Sequence, residues 1–266
     1  MLVQSENTLR RGLEVSQPRI SYNFAIRVSL IASLGGFLFG FETAVISGAE
    51  KLIQQFWSLS SFWQGFTVAS SLIGTVIGSL VAGMPAQKYG RKKVLSVIAL
   101  LYLVSAIGCA STSVWLFFVL FRMIGGLAVG ASSVVGPMYI SEIAPPRIRG
   151  KLAGSFQLMI VGGIFVAYLT NFLFVNMGDS GWRWMLGIMV IPALLFAVLL
   201  FFIPESPRWL VLKNRDDEAE VIFSKTGEAD AFRVIREEHE LSRQGAKESL
   251  FNGKYNKPII YAVLLA

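Results

Sequence analysis

The chain has 266 residues, of which 54% are hydrophobic and only 15% charged, with a mean hydropathy of +0.58. So few charged groups cannot solvate a surface around so many apolar ones, which argues against a soluble enzyme, a disordered chain or, with Cys109 the only cysteine, a disulfide scaffold. The net charge of +7 would suit nucleic acid only as a dense cationic patch on a soluble fold, and His239, the single histidine, lies outside the apolar portion, leaving zinc and Ser-His-Asp chemistry without their usual residues.

In chain order, residues 1–24 form a polar N-terminal segment, expected to be cytoplasmic, and residues 25–204 hold six apolar runs. The runs cover roughly 28–48, 66–86, 94–113, 115–140, 152–174 and 184–203, each about the 20 residues that an α-helix needs to cross a bilayer core. The predicted fold is therefore an all-α membrane bundle. Cations set its orientation. With six crossings, 21 of the 24 Lys and Arg residues share one side, leaving Lys51 and Arg183 opposite and Arg122 within a span. The positive-inside rule puts that richer side, with the N-terminus and the polar tail, in the cytoplasm; the expected location is a plasma (inner) membrane. Trp57, Trp63, Trp115, Trp182, Trp184 and Trp209 all fall at predicted span ends, where an amphipathic ring prefers to sit. No small-residue cleavage site follows the first run, which reads as an uncleaved signal anchor.

Beyond the sixth run the composition changes. Within residues 205–256, the stretch from Asp216 to Glu248 alternates charges with apolar residues at helical spacing, as in AEVIFSK and AFRVIREEHELSR, and the region fits a cytoplasmic amphipathic helical segment as well as a solvated linker. Residues 257–266, KPIIYAVLLA, are apolar but too short to cross, and resemble the start of a truncated seventh span.

A repeat runs through the bundle. GGFLFG at 35–40 recurs as GGLAVG at 125–130, every glycine offset by 90 residues. Three spans separate the copies, so they cross in opposite senses, the pattern left by an inverted three-plus-three repeat. Helix packing alone also favours glycine triplets.

Glu42 and Arg122 are the acid and base well inside predicted spans. A charge at a helix centre costs about 2.5 to 3.5 kcal/mol on insertion scales, so each needs a partner or water. Glu42 lies six residues before the outer end of the first run and Arg122 seven after the outer start of the fourth. Both depths come to about 10 Å at the helical rise, so the two can pair if their helices are neighbours. A buried carboxylate can also carry a proton. Its ionisation reflects a balance between burial and the guanidinium, and protonation would release Arg122 and loosen the outer half of the bundle. A static ion pair that fixes helix register is the competing reading. In the fifth run, Gln157 stands as an isolated amide able to bind a polar solute, and Phe39 in the first could face a sugar ring; Thr170 and Asn171 read as helix-to-helix contacts.

Four blocks then match a known pattern. GGFLFGFETAVISGA, the GRKK after Tyr89, RMIGGLAVGASSVVGPMYISEIAPPRIRGKL and PESPRWL resemble, in order, the signature blocks of sugar porters of the major facilitator superfamily, with bacterial proton-coupled pentose and hexose symporters the nearest likeness. The resemblance covers nearly all of the chain from about residue 25 and implies the N-terminal six-helix bundle of that fold. It also implies roles: Glu42 as the proton-coupling acid with Arg122 as its partner, Gln157 and Phe39 at the sugar, and Arg91, Glu142, Arg149, Glu205 and Arg208 as a cytoplasmic gate network. Ion pairs at helix ends can break and reform as a gate moves, and the same residues can anchor helix ends in the headgroup region. Three positions depart from the family pattern: Phe41-Glu42 replaces Tyr-Asp, Gln87-Lys88 replaces a frequent Asp-Arg, and Ile164 stands where some members have a second glutamine.

The expected function is sugar:proton symport by alternating access, with a monosaccharide and a proton as cargo, the proton gradient in place of a cofactor, no enzymatic activity and no nucleic-acid partner. The C-terminal six-helix half, which supplies most sugar contacts in the family, is the expected missing partner. A facilitative sugar uniporter and a non-transporting membrane scaffold or sensor are the alternatives.

Overall fold

The computed structural model describes residues 22–226 and 228–244. The truncated seventh span expected at 257–266 and nearly all of the 1–24 segment lie outside the described residues. Six helical segments are long and apolar enough to cross a membrane. We number the helices α1 (Asn23–Phe56), α2 (Ser61–Val81), α3 (Gly83–Tyr89), α4 (Arg91–Ser111), α5 (Trp115–Ile143) and α6 (Arg149–Phe174). The sixth span, Gly178–Phe202, contains α7 (Gly181–Gly187) and α8 (Val190–Leu199), flanked by 3₁₀ turns at Gly178–Ser180 and Leu200–Phe202.

Span boundaries differ from the hydropathy reading in two places. The first helix is 34 residues long, because the amphipathic stretch after Gly48 continues the helix beyond the membrane-length run. The second crossing is Ser61–Val81 rather than 66–86, and the apolar residues after it form the separate α3. Gly90 divides α3 from α4: its φ of 103° lies in the left-handed region, which a side chain disfavours.

α1 and α5 are the central helices. α6 packs along α1, α2 along α5, α4 lies against α5, and the sixth span lies against both α1 and α4. This arrangement is the repeat written in space, since the first helix of each three-span unit packs on the second helix of the other. The repeated glycines make those contacts possible. A methyl group on Gly36 or Gly40 would strike the backbone carbonyl of Phe156 or Ile160 on α6, and one on Gly126 or Gly130 that of Ser71 or Thr75 on α2. The remaining pair also corresponds. Gly35 faces Ser132 of α5, and Gly125 faces Glu42 of α1; Ser132 is 90 residues beyond Glu42, so the second unit carries a hydroxyl where the first carries the acid.

Polar contacts tie these close pairs together. Ser33 and Ser155 hydroxyls meet at 2.8 Å between α1 and α6, Asn171 donates to the Val45 carbonyl at 3.1 Å, and the Trp115 indole donates to Thr67 Oγ1 at 2.9 Å between α5 and α2. Thr170 donates within its own helix to Ala167 O. With no water to compete, such bonds hold membrane helices in register.

After the sixth span come α9 (Pro207–Leu212), α10 (Asp216–Thr226) and α11 (Ala229–Gln244). Pro207 opens α9 at the position where a missing N–H costs nothing, and Ser206 caps it by accepting from Trp209 N at 3.2 Å. Ala219, Ile222 and Phe223 of α10 are buried, and α10 reaches the start of α1, where the Lys225 ammonium lies over the Phe24 ring.

Candidate functional site

Glu42 and Arg122 meet where α1 crosses α5. Arg122 Nη1 donates to Glu42 Oε1 at 2.5 Å, with the residues 1% and 3% exposed respectively. Among the described residues the only other buried charged side chain is Arg91. The pair sits in a notch. A methyl group built on Gly125 would come within 2.8 Å of Glu42 Oε1 and 2.5 Å of Ser105 Oγ, so the missing side chain is what admits the carboxylate.

Around it α4 contributes Tyr102, Ser105 and Cys109, all buried, and α5 contributes Ser132. Tyr102 lies one turn before Ser105 on α4, and Cys109 one turn beyond it. Yet Tyr102 OH, Ser105 Oγ, Ser132 Oγ and Arg122 Nε complete no hydrogen bond. Leaving a buried polar group unpaired costs about 1 to 3 kcal/mol. Sequence reading missed these hydroxyls because Ser and Tyr are unremarkable in an apolar helix; only their convergence on one ion pair distinguishes them.

A second cluster lies at the end of the bundle that carries Gly90. Arg91 Nη2 donates to Glu142 Oε1 at 2.8 Å and Arg91 Nη1 to the Ala86 carbonyl at 3.1 Å. Glu205 Oε1 accepts from the backbone N–H of Lys92 and of Ser206, each at 2.9 Å. Ser206 Oγ joins the two halves by donating to Glu142 Oε2 at 2.6 Å. Nearby, Tyr139 OH donates to the Pro204 carbonyl and the Trp209 indole to the Gln87 carbonyl, both at 2.8 Å. A side chain on Gly90 would collide with the Glu205 carboxylate. Of the five charges expected here, Arg91, Glu142 and Glu205 come together. Arg149 caps the end of α5 instead, its Nε donating to Ala144 O at 3.2 Å, and Arg208 is exposed. Ser206 and Tyr139 were not anticipated; Ser206 was legible as a helix cap before proline.

Phe39 is half-buried on α1 and Gln157 exposed on α6. The structure does not set them in the packed interior with the ion pair. Gln157 borders the α1–α6 seam, between Phe156 and Ile160, whose carbonyls face Gly36 and Gly40.

At the aromatic end, Arg183 Nη1 donates to the carbonyls of Ala110 and Thr112 at 2.8 and 2.7 Å and Arg183 Nη2 to Ser113 Oγ at 3.2 Å. Its guanidinium lies 4.4 Å over the Trp182 ring. Trp182 packs in turn on Phe56, Trp57 and Phe118. This clamp holds the α4–α5 link, and the start of α5 lies about two turns from Arg122.

Comparison with known proteins agrees with the fold. The sugar (and other) transporter family model matches residues 28–266, and the chain belongs to that family. It is 39% identical over 233 residues to a glucose transport protein of Synechocystis sp., covering 84% of this chain and 50% of that one. To the arabinose-proton symporter of Bacillus subtilis it is 36% identical over 256 residues, covering 92% and 55%. Among solved structures, the major facilitator superfamily proton:xylose symporter XylE of E. coli, bound to 6-bromo-6-deoxy-D-glucose, superposes with a TM-score of 0.78 at 35% identity, covering 83% of this chain and 54% of that one. The architecture is thus the N-terminal six-helix half of the major facilitator fold, in an integral membrane protein. The chain spans about half the length of the curated relatives it matches.

Proposed function

We propose that this bundle is the proton-handling half of a sugar:proton symporter that works by alternating access, with a second six-helix bundle completing the sugar cavity. The observation that carries the proposal is the buried Glu42–Arg122 pair at the α1–α5 crossing. An isolated acid and base in a membrane interior are expensive and mark ion pathways. Protonation of Glu42 removes the charge that holds Arg122, so the stability of this crossing depends on proton occupancy. That the relatives include an arabinose-proton and a D-xylose-proton symporter supports a monosaccharide as cargo.

In this reading the Gly90 end is cytoplasmic, as its wealth of Lys and Arg suggests. The Arg91–Glu142 bridge and the Glu205 contacts to Lys92 and Ser206 form its closing network, with Arg149 and Arg208 available to the opposing bundle. Gln157 of α6 and Phe39 of α1 belong to the face that meets sugar.

The test is accumulation in vesicles by the protein joined to a second bundle. Glu42→Gln abolishes accumulation driven by a proton gradient and spares downhill sugar exchange. Undiminished accumulation overturns the coupling role, and wild-type transport without proton movement identifies a facilitative uniporter with a static ion pair.

A further inference from the structure

Four polar atoms stand unpaired around one ion pair: Tyr102 OH and Ser105 Oγ from α4, and Ser132 Oγ and Arg122 Nε from α5. Native interiors hold few such atoms, and each carries the desolvation cost of a group stripped of water. Here they lie on the two helices, α4 and α5, that pack beside the carboxylate engaged by the guanidinium. Ser105 Oγ and Glu42 Oε1 face each other across the methyl-sized notch at Gly125. Tyr102, also buried, lies one turn earlier on the same face of α4.

The geometry points to a second seat for the Glu42 carboxyl: once protonated and parted from Arg122, it is held by Ser105 and Tyr102, whose hydroxyls are unpaired while the ion pair is closed. This rests on the reading of Glu42 as the proton carrier. The step balances simply. A proton from the aqueous phase adds to one carboxylate oxygen. That new O–H donates to Ser105 Oγ, the carboxyl C=O accepts from Tyr102 OH, the hydrogen bond from Arg122 Nη1 is given up, and no other covalent bond to hydrogen is made or broken. A neutral carboxyl has one donor and spare acceptor capacity, and a pair of hydroxyls satisfies both. The ionised form, an acceptor only, keeps Arg122. Two discrete seats for one side chain give the bundle two states that proton occupancy selects.

The titratable groups facing the carboxylate are Arg122 of α5 and Tyr102 and Cys109 of α4. The remaining charged residues of the packed elements stand toward helix ends: Arg27, Glu50 and Lys51 on α1, Arg91, Lys92 and Lys93 on α4, Glu142 on α5, Arg149 and Lys151 on α6, Asp179 and Arg183 on the sixth span. Tyr139 lies at the Gly90 end and Tyr168 on the exposed face of α6.

The experiment is pH-difference infrared spectroscopy of the 266-residue chain in phospholipid bilayers, which needs no transport. The protonated-carboxyl band of Glu42 is the one removed by Glu42→Gln. Ser105→Ala and Tyr102→Phe are each expected to shift that band to higher frequency, as the carboxyl loses a hydrogen bond, and to lower its midpoint pH, as the neutral form loses support. Ser105→Thr, which keeps the hydroxyl, restores both. If Glu42→Gln removes no titrating band, the carrier role of Glu42 falls, and this inference with it. If it does, but band and midpoint are unmoved in Ser105→Ala and Tyr102→Phe, the second seat alone is overturned.

Discussion

Gly40 and Gly130 lie 90 residues apart and meet equivalent atoms: a methyl group on Gly40 would strike the Ile160 carbonyl oxygen of α6, and one on Gly130 the Thr75 carbonyl oxygen of α2. Backbone, unlike a flexible side chain, cannot step aside without moving a helix. The two seams therefore share one steric requirement, met twice by the same residue type.

Gly130→Ala or Gly40→Ala should each destabilise the bundle by about 1 to 3 kcal/mol through overpacking. Gly154→Ala, in a helix position with nothing within 4 Å, should be neutral or stabilise by up to about 1 kcal/mol from helix propensity. Thermal unfolding in detergent separates them; equal midpoints for all three would remove the steric account.

Removing one member of the buried pair leaves the other unpaired. Arg122→Met is expected to cost about 3 to 5 kcal/mol, whereas Glu42→Leu combined with Arg122→Met should recover much of the loss, since a buried ion pair gives little over apolar packing. Denaturant titration of the single and double variants checks the coupling. Additive losses would mean that the side chains act independently.

Ser206 caps α9 and bridges to Glu142. Ser206→Ala therefore loses a cap and a charge-assisted hydrogen bond, together about 2 to 4 kcal/mol. The loss should be local. Hydrogen exchange at Trp209 to Val211 should quicken, with little change in the middle of α5.

Arg183 holds three oxygens of the α4–α5 link while stacking on Trp182. Lysine supplies a point charge without the planar fork. Arg183→Lys is expected to cost about 1 to 2 kcal/mol and to raise the accessibility of a cysteine placed at Thr112 to a thiol reagent.

Glu228, at the turn into α11, is partly buried, and that burial pushes its carboxyl above the usual carboxylate range, with the Arg149 guanidinium opposing in part. A carboxyl raised on folding contributes stability below its unfolded pKa and loses it as pH rises through the folded value. Protection of α10 and α11 from hydrogen exchange should thus decline as pH rises from acid through that range, and Glu228→Gln should flatten the decline.

Length and composition were enough to establish six crossings, because spanning a bilayer needs an uninterrupted apolar helix whatever it packs against. Sequence also singled out Glu42 and Arg122, since a charge in such a run is conspicuous, and matched their depths from helical rise alone. The five gate charges were visible as types, but Arg149 and Arg208 stand apart from the Arg91–Glu142–Glu205 cluster, a matter of side-chain direction that no motif states. Which spans are neighbours was beyond one-dimensional reading. Leu38 and Phe41 are fully buried while Leu80 and Phe201 face outward, and all four are equally apolar. In water, hydrophobicity reports burial; in lipid the surroundings of a helix are as apolar as its neighbours, so only packing decides which face turns inward. Packing alone brought Ser105 to the acid.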